Sequence, residues 1–262
     1  MKEQIMPSYL PAAAVQFVPE NGGDPVTVYR PYEAFPLADL ERHAQEDERG
    51  VLLELGQRYY FGTLGAEQDD QKAYDYLLKA AELGVQDAQS LLAGFYLNGR
   101  LLAPDPQKCQ QWLETAAENG SYDAMEKLAR CFRSGKAGFP VDHEKAYQWA
   151  LQEERMIRIY WAFYTQKNFV DFAQKQKKLL AAHTRTAFFL ADCYADGIGT
   201  KRDLNAAMRI IRTGEQFVCR ATGLAEVPMF RIRREQLLQR MQNEEQRRLR
   251  AERAAKAKKK KK

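Results

Sequence analysis

The chain has 262 residues, 45% of them hydrophobic and 29% charged, with a net charge of +5 and a mean hydropathy of −0.58. That is enough apolar material for one or two globular units or one extended array, and no apolar run approaches the roughly 18–20 residues of a membrane-spanning helix. Cys109, Cys131, Cys193 and Cys219 and the histidines His43, His143 and His183 are scattered, without a C-x-x-C or a companion C-x-x-H. The pattern therefore argues against a disulfide framework, a structural metal and an oxidising compartment.

The opening residues Met1-Lys2-Glu3-Gln4-Ile5-Met6-Pro7 lack the charged and then apolar stretches of a secretory signal, so a cytoplasmic protein is expected. Six of the ten prolines (Pro7, Pro11, Pro19, Pro25, Pro31 and Pro36) fall in the first 36 residues. Val15–Val18 and Val26–Tyr29 flank the turn-rich run Glu20-Asn21-Gly22-Gly23-Asp24, a pattern that fits a short hairpin. Two strands alone are marginal, so the hairpin must lean on the segments after it. Residues 1–49 are read as an irregular proline-rich arm ending in a helix from about Ala38 to Glu48.

The next stretch repeats. Leu55-Gly56-x-x-Tyr59-x-x-Gly62 recurs as Leu92-Ala93-x-x-Tyr96-x-x-Gly99, as Leu128-Ala129-x-x-Phe132-x-x-Gly135 and as Leu190-Ala191-x-x-Tyr194-x-x-Gly197. Each is followed by an Asp and a small residue after a Lys or its variant: Asp70/Lys72-Ala73, Asp105/Lys108-Cys109, Asp142/Lys145-Ala146 and Asp203/Asn205-Ala206. The first two copies close on Ala80-Ala81/Gly84 and Ala116-Ala117/Gly120. A repeat of 36–37 residues between aromatics belongs to helix-pair solenoids. The physics agrees. Leu and an aromatic four apart share one helix face, Gly or Ala beside the Leu admits a neighbour, Gly ends the helix, and Asp starts the next.

This pattern resembles the Sel1-like repeats, relatives of tetratricopeptide repeats. Ala88 and Ala124 fill the first consensus position, Trp112 and Trp149 the tryptophan position, and Gly197-x-Gly199 the paired glycines. The resemblance covers residues 50–153 and 185–217 and implies an all-α fold, a right-handed α-solenoid of about five helix-pair repeats. The units are expected at about 50–84, 85–120, 121–154 and 185–217. The third copy lacks the Ala-Ala-x-x-Gly end and runs into Glu153-Glu154-Arg155. Met156–Thr184 reads as helix, turn at Lys167-Asn168, then helix, with Tyr164 as the repeat tyrosine. It is taken as a shortened fifth unit over 155–184, the rival reading being a long helical insertion.

The register accounts for most residues that otherwise look functional. Cys109 takes a slot that is Ala in the other units, and Cys131 and Cys193 precede the repeat aromatic, so all three read as small buried thiols. Tyr59, Tyr96, Trp112, Phe132, Trp149 and Tyr194 read as packing knobs. Gly197-Ile198-Gly199-Thr200-Lys201 lacks P-loop spacing. No acid/base pair or nucleophile constellation converges, so no catalytic residue, cofactor or small-molecule substrate is expected. In tetratricopeptide-type arrays the first helices line a concave groove. By that resemblance the groove candidates are Leu53, Gln57 and Tyr60, then Ser90, Gly94 and Leu97, then Glu126, Arg130 and Arg133, and lastly Phe188, Asp192 and Ala195. Apolar positions near the first units with Arg130 and Arg133 as a basic spot suit a peptide or helix carrying an apolar anchor and a carboxylate.

From Met229 to Lys262, eight arginines and six lysines stand against four glutamates, a net +10, which leaves −5 for residues 1–228. Met229, Ile232, Leu237, Leu238, Met241 and Leu249 recur on one side of a helix, whose first part is expected to cap the last repeat. Past Arg247 the apolar content fades, and a frayed or disordered end is expected. Its cations are Arg247, Arg248, Arg250, Arg253, Lys256, Lys258, Lys259, Lys260, Lys261 and Lys262. They suit nucleic-acid phosphates or an anionic membrane, with a merely solubilising tail as the plain alternative; no aromatic interleaves to stack on bases. The expected function is a non-enzymatic protein–protein interaction module, an adaptor or scaffold. The alternative is a nucleic-acid- or ribosome-associated protein held by its tail.

Overall fold

The computed structural model describes residues 12–17, 26–44, 48–166, 169–170 and 172–259. Its described residues form two strands and ten α-helices. The chain divides into two compact units, Met1–Ala182 and His183–Lys262.

In the first unit, β1 (Ala12–Phe17) pairs antiparallel with β2 (Val26–Pro31). The expected turn at residues 20–24 lies outside the described residues. A 3-10 turn and α1 (Leu37–His43) follow where the lead-in helix is expected, and residues 45–47 of that expected helix lie outside the described residues. The helix pairs are α2 (Arg49–Phe61) with α3 (Asp70–Glu82), α4 (Gln86–Asn98) with α5 (Pro106–Glu118), and α6 (Tyr122–Ser134) with α7 (His143–Tyr164). Neighbouring pairs stack through α3 on α4 and α5 on α6. This is an all-α solenoid of repeated helix pairs.

Each repeat is punctuated by the same backbone chemistry. Gly62, Gly99 and Gly135 close the first helices in the left-handed conformation. The chain then turns back, and the amide of Asp69, Asp105 or Asp142 donates to the carbonyl of Tyr59, Tyr96 or Phe132 at 2.8–3.0 Å. The same aspartates cap the second helices by accepting from the amides of Lys72, Lys108 and Lys145. The cap of the first unit is therefore Asp69. Asp70, the residue singled out from sequence, instead pairs with Arg100 of the next repeat. The Lys itself lies over the preceding aromatic, Lys72 on Tyr59, Lys108 on Tyr96 and Lys145 on Phe132, at 4.8–5.5 Å, a cation–π contact.

The core is built from Leu55, Tyr59, Leu77, Leu92, Leu113, Leu128 and Phe132, all buried, with Ala73, Cys109 and Ala146 buried at the matching position of each second helix. In the second pair the deepest aromatic is Phe95, and Tyr96 is half-buried, as are Trp112 and Trp149. The arm closes the open end of this stack. Tyr32, Phe35, Leu37 and Leu40 join the cluster that holds Val51, Leu52 and Leu55. Buried Arg58 fastens it: the guanidinium pairs with buried Glu54 at 2.8 Å and donates to the carbonyls of Tyr32, Glu33, Phe35 and Leu64.

Unit three lacks a terminator, and α7 accordingly runs 22 residues without a break through the expected boundary at 154/155. Its second half turns inward: Gln86 donates to the buried Tyr160 hydroxyl at 2.9 Å, and Tyr122 meets the same ring edge-on. Tyr164 is buried against Phe169 and Phe172. The β2 edge reaches this corner, where Tyr29 stacks on Phe169 at 5.1 Å and accepts from the Val170 amide. Lys167 and Asn168, the expected turn, lie outside the described residues. The next helix, α8 (Ala173–Asp196), also runs unbroken through the expected 184/185 boundary. The division between the two units falls within it.

The second unit contains the end of α8, α9 (Leu204–Thr222) and α10 (Pro228–Lys259). Asp203 caps α9 and its amide donates to the Tyr194 carbonyl, repeating the pattern above. Phe230 and Leu237 are the buried apolar residues of α10. Met229 at 58%, Ile232 at 51% and Leu238 at 40% exposure are not, so the apolar side read from sequence is displaced. Past Arg247, where a frayed or disordered end is expected, α10 continues to Lys259, and Lys260, Lys261 and Lys262 lie outside the described residues.

Candidate interaction surface

The groove positions extrapolated from the repeat meet three different fates. Leu53 and Ser90 are buried. Leu53 belongs to the cluster closed by the arm. Ser90 donates to Asp123 at 2.6 Å and accepts from Lys127 at 3.0 Å, so it is part of the seam between α4 and α6. Gly94 is buried as well; a Cβ there would stand 3.2 Å from the Tyr60 hydroxyl. Gln57 and Tyr60 are half-buried, and the Tyr60 ring carries the Arg100 guanidinium at 4.2 Å.

In the second unit, Phe188, Asp192 and Ala195 face α10. Phe188 meets Phe230 edge-on at 4.9 Å, Asp192 pairs with Arg233, and the Ala195 carbonyl accepts from Arg240 at 3.2 Å. Arg240 also pairs with Asp196, and Arg234 with Glu215. These positions are therefore covered by the chain's own helix. The register gives a helix face but not what lies on it. The covering mode is informative: an apolar anchor flanked by charged pairs is how this face accepts a helix.

The remaining positions come together. Leu97 on α4 and Arg130 and Arg133 on α6 line one open concavity of about 720 Å³. Lys127 and Lys136 complete its basic wall, and Asn98, Cys131, Ser134 and Ala137 also border it. Its cations recur every third residue from Lys127 to Lys136, which puts them along one edge of α6 and the turn that follows. Sequence reasoning found two of the four; the i, i+3 spacing on either side of Arg130 was the signal for the others. Lys127 is engaged by Asp123 at 2.7 Å and by Ser90. Arg130 stands 3.9 Å from Glu126 with 69% of its side chain exposed, and Arg133 and Lys136 are exposed. Glu126 is half-buried beside it.

Burial raises the Cys131 thiol despite the neighbouring Arg130, Lys127 and Lys136, and pushes Cys109 up to about 11, so both thiols are protonated at neutral pH. All four cysteines are thiols rather than disulfides. No helix among the described residues is long and apolar enough to cross a membrane. Guanidiniums at the edge of an apolar floor bind carboxylates bidentately.

The family model described as Sel1 repeat matches at residues 52–85, 86–121, 123–152 and 185–210. Among solved structures, the chain is similar to a Sel1 repeat protein from Oxalobacter formigenes, at 24% identity over 66% of this chain and 72% of that one, with a TM-score of 0.39. It is also similar to cysteine rich protein B of Helicobacter pylori (25% identity, 45% and 88% covered, TM-score 0.36). A third is a sel1 repeat protein from Klebsiella pneumoniae (18% identity, 78% and 99% covered, TM-score 0.38). No curated protein matches the sequence.

Proposed function

We propose, from the premise that this chain is a Sel1-like repeat protein, that it is an adaptor that binds a partner segment in the concavity between α4 and α6. Repeat proteins of this class in general mediate protein–protein interaction on a non-catalytic scaffold. The finer reading rests on one observation: Leu97 and the cations of α6 share one concave site of about 720 Å³. The partner segment carries an apolar side chain for the Leu97 floor and carboxylates for Arg130, Arg133 and Lys136. The α10 helix supports the mode, because Phe230 and Arg233 engage α8 through the same combination of anchor and ion pair. The compartment proposed is the cytoplasm, where thiols persist.

A peptide-display selection against the full chain tests this. Enriched peptides should combine an apolar residue with nearby Asp or Glu, and Arg130→Glu with Arg133→Glu should abolish their binding while Gln57→Ala does not. Enrichment of basic or uncharged peptides, or binding indifferent to the charge reversal, would overturn the proposal.

A further inference from the structure

The adaptor role leaves the second half of α10 unused. Among the described residues, its last ion pair to another element is that between Glu244 and Arg202, and Glu245 and Arg248 still border a concavity with Leu204 and Asn205 of α9. Beyond it the helix continues from Glu245 to Lys259, about 22 Å at 1.5 Å per residue, with residues 245–256 exposed. Over residues 245–262 ten cations oppose two carboxylates, a net +8, on a chain whose residues 1–228 carry −5. Arg248 spends part of its charge on Glu245, at 2.8 Å, and Glu252, at 3.7 Å.

Three features narrow what such a rod binds. At 100° per residue, Arg247, Arg248, Arg250, Arg253 and Lys256 fall on all sides of the helix rather than along one stripe. A membrane-surface helix needs one apolar face, and here Leu249 is the lone large apolar residue among alanines. Single strands are held largely by stacking, and residues 245–262 contain no aromatic. A helix 10–12 Å across with cations all round matches the B-form major groove, about 12 Å wide, where both phosphate walls are within reach. The deep, narrow major groove of duplex RNA does not admit it.

We propose that residues 245–259 of α10 form a sequence-independent binding element for double-stranded DNA. The element is independent of the concavity on α4 and α6 and stands or falls separately from it.

The test is fluorescence anisotropy of the full chain with a mixed-sequence 20-base-pair DNA duplex, across a potassium chloride titration. The parallel probes are a duplex RNA of equal length, a single strand, and vesicles containing phosphatidylserine. The DNA duplex should bind tightest, with log affinity falling linearly against log salt. Replacing Arg247, Arg248, Arg250 and Arg253 by Gln should lower affinity at least about 100-fold at 0.1 M salt. It should also reduce the slope by about three to four units, at about 0.9 for each phosphate no longer neutralised. Replacing the same four by Lys should leave the slope within about one unit, because phosphate is read as charge; circular dichroism checks that both variants stay helical. An unchanged slope in the Gln variant would overturn the proposal. So would equal or tighter binding to vesicles, RNA or single strands.

Discussion

Arg58 is the residue whose loss should be felt furthest from its own helix. It is 2% exposed, its partner Glu54 6%, and its other hydrogen bonds all end on carbonyls of the arm or of the turn after α2. Arg58→Met keeps an apolar stem in the cavity but leaves Glu54 buried without its counter-charge, a change that costs about 3–5 kcal/mol. The carbonyls of Tyr32, Glu33 and Phe35 lose their donor too, at about 1 kcal/mol each where water does not replace it. Water entering the vacated guanidinium site recovers part of the first cost, so a net loss of about 4 kcal/mol is expected. Removing both charges with Glu54→Met and Arg58→Met should restore about 2 kcal/mol and leave the arm loose. Urea denaturation gives the stabilities, and hydrogen exchange of the amides of Tyr32, Glu33, Ala34, Phe35 and Leu37 reports the arm. A loss below about 1 kcal/mol in Arg58→Met, or unchanged protection of the arm, would refute the account of how the N-terminal end is closed.

Phe230→Ala empties a fully buried site against Phe188 and Gly214. It should cost about 3–5 kcal/mol and expose the amides of 228–244 to exchange, whereas Ile232→Ala should change little. Leu64 and Leu101 adopt φ of 53° and 63° while their side chains are more than 40% exposed. Leu101→Gly should therefore stabilise by about 0.5–1 kcal/mol, measured by the urea midpoint, and a clear loss would contradict the strain. The Tyr59 hydroxyl, bonded to Glu41, and the Tyr74 hydroxyl, bonded to Tyr96, are both pushed up to about 12. The unfolded chain releases those protons first, so their contribution is intact below pH 10 and is lost as pH rises towards 12. Urea midpoints taken from pH 8 to 11 should fall, and Tyr59→Phe should flatten the fall.

The repeat was legible because its determinants are local. Gly at the end of one helix, Asp at the start of the next and Leu four residues before an aromatic each act within a few residues of their own position. The contacts between segments were not legible. Nothing in the periodicity of α10 distinguishes buried Phe230 from exposed Met229, because the choice depends on Phe188 about forty residues earlier. The groove suffered likewise: Leu53 is claimed by the arm and Ser90 by Asp123 and Lys127. The paired glycines were readable only in the last unit, as Gly197 and Gly199. Leu64, Leu101 and Ala137 hold the second glycine's left-handed conformation in the others, strained and disguised by their side chains.

The central claim is that the concavity of Leu97, Arg130 and Arg133 is where a partner binds. Hydrogen exchange of the full chain, with and without a saturating acidic peptide carrying one apolar anchor, tests it most directly. The account predicts new protection confined to the ends of α4 and α6, around 95–99 and 127–137, absent when Arg130 and Arg133 are reversed to Glu. Protection that instead appeared on other helices, or persisted in the reversed variant, would contradict it.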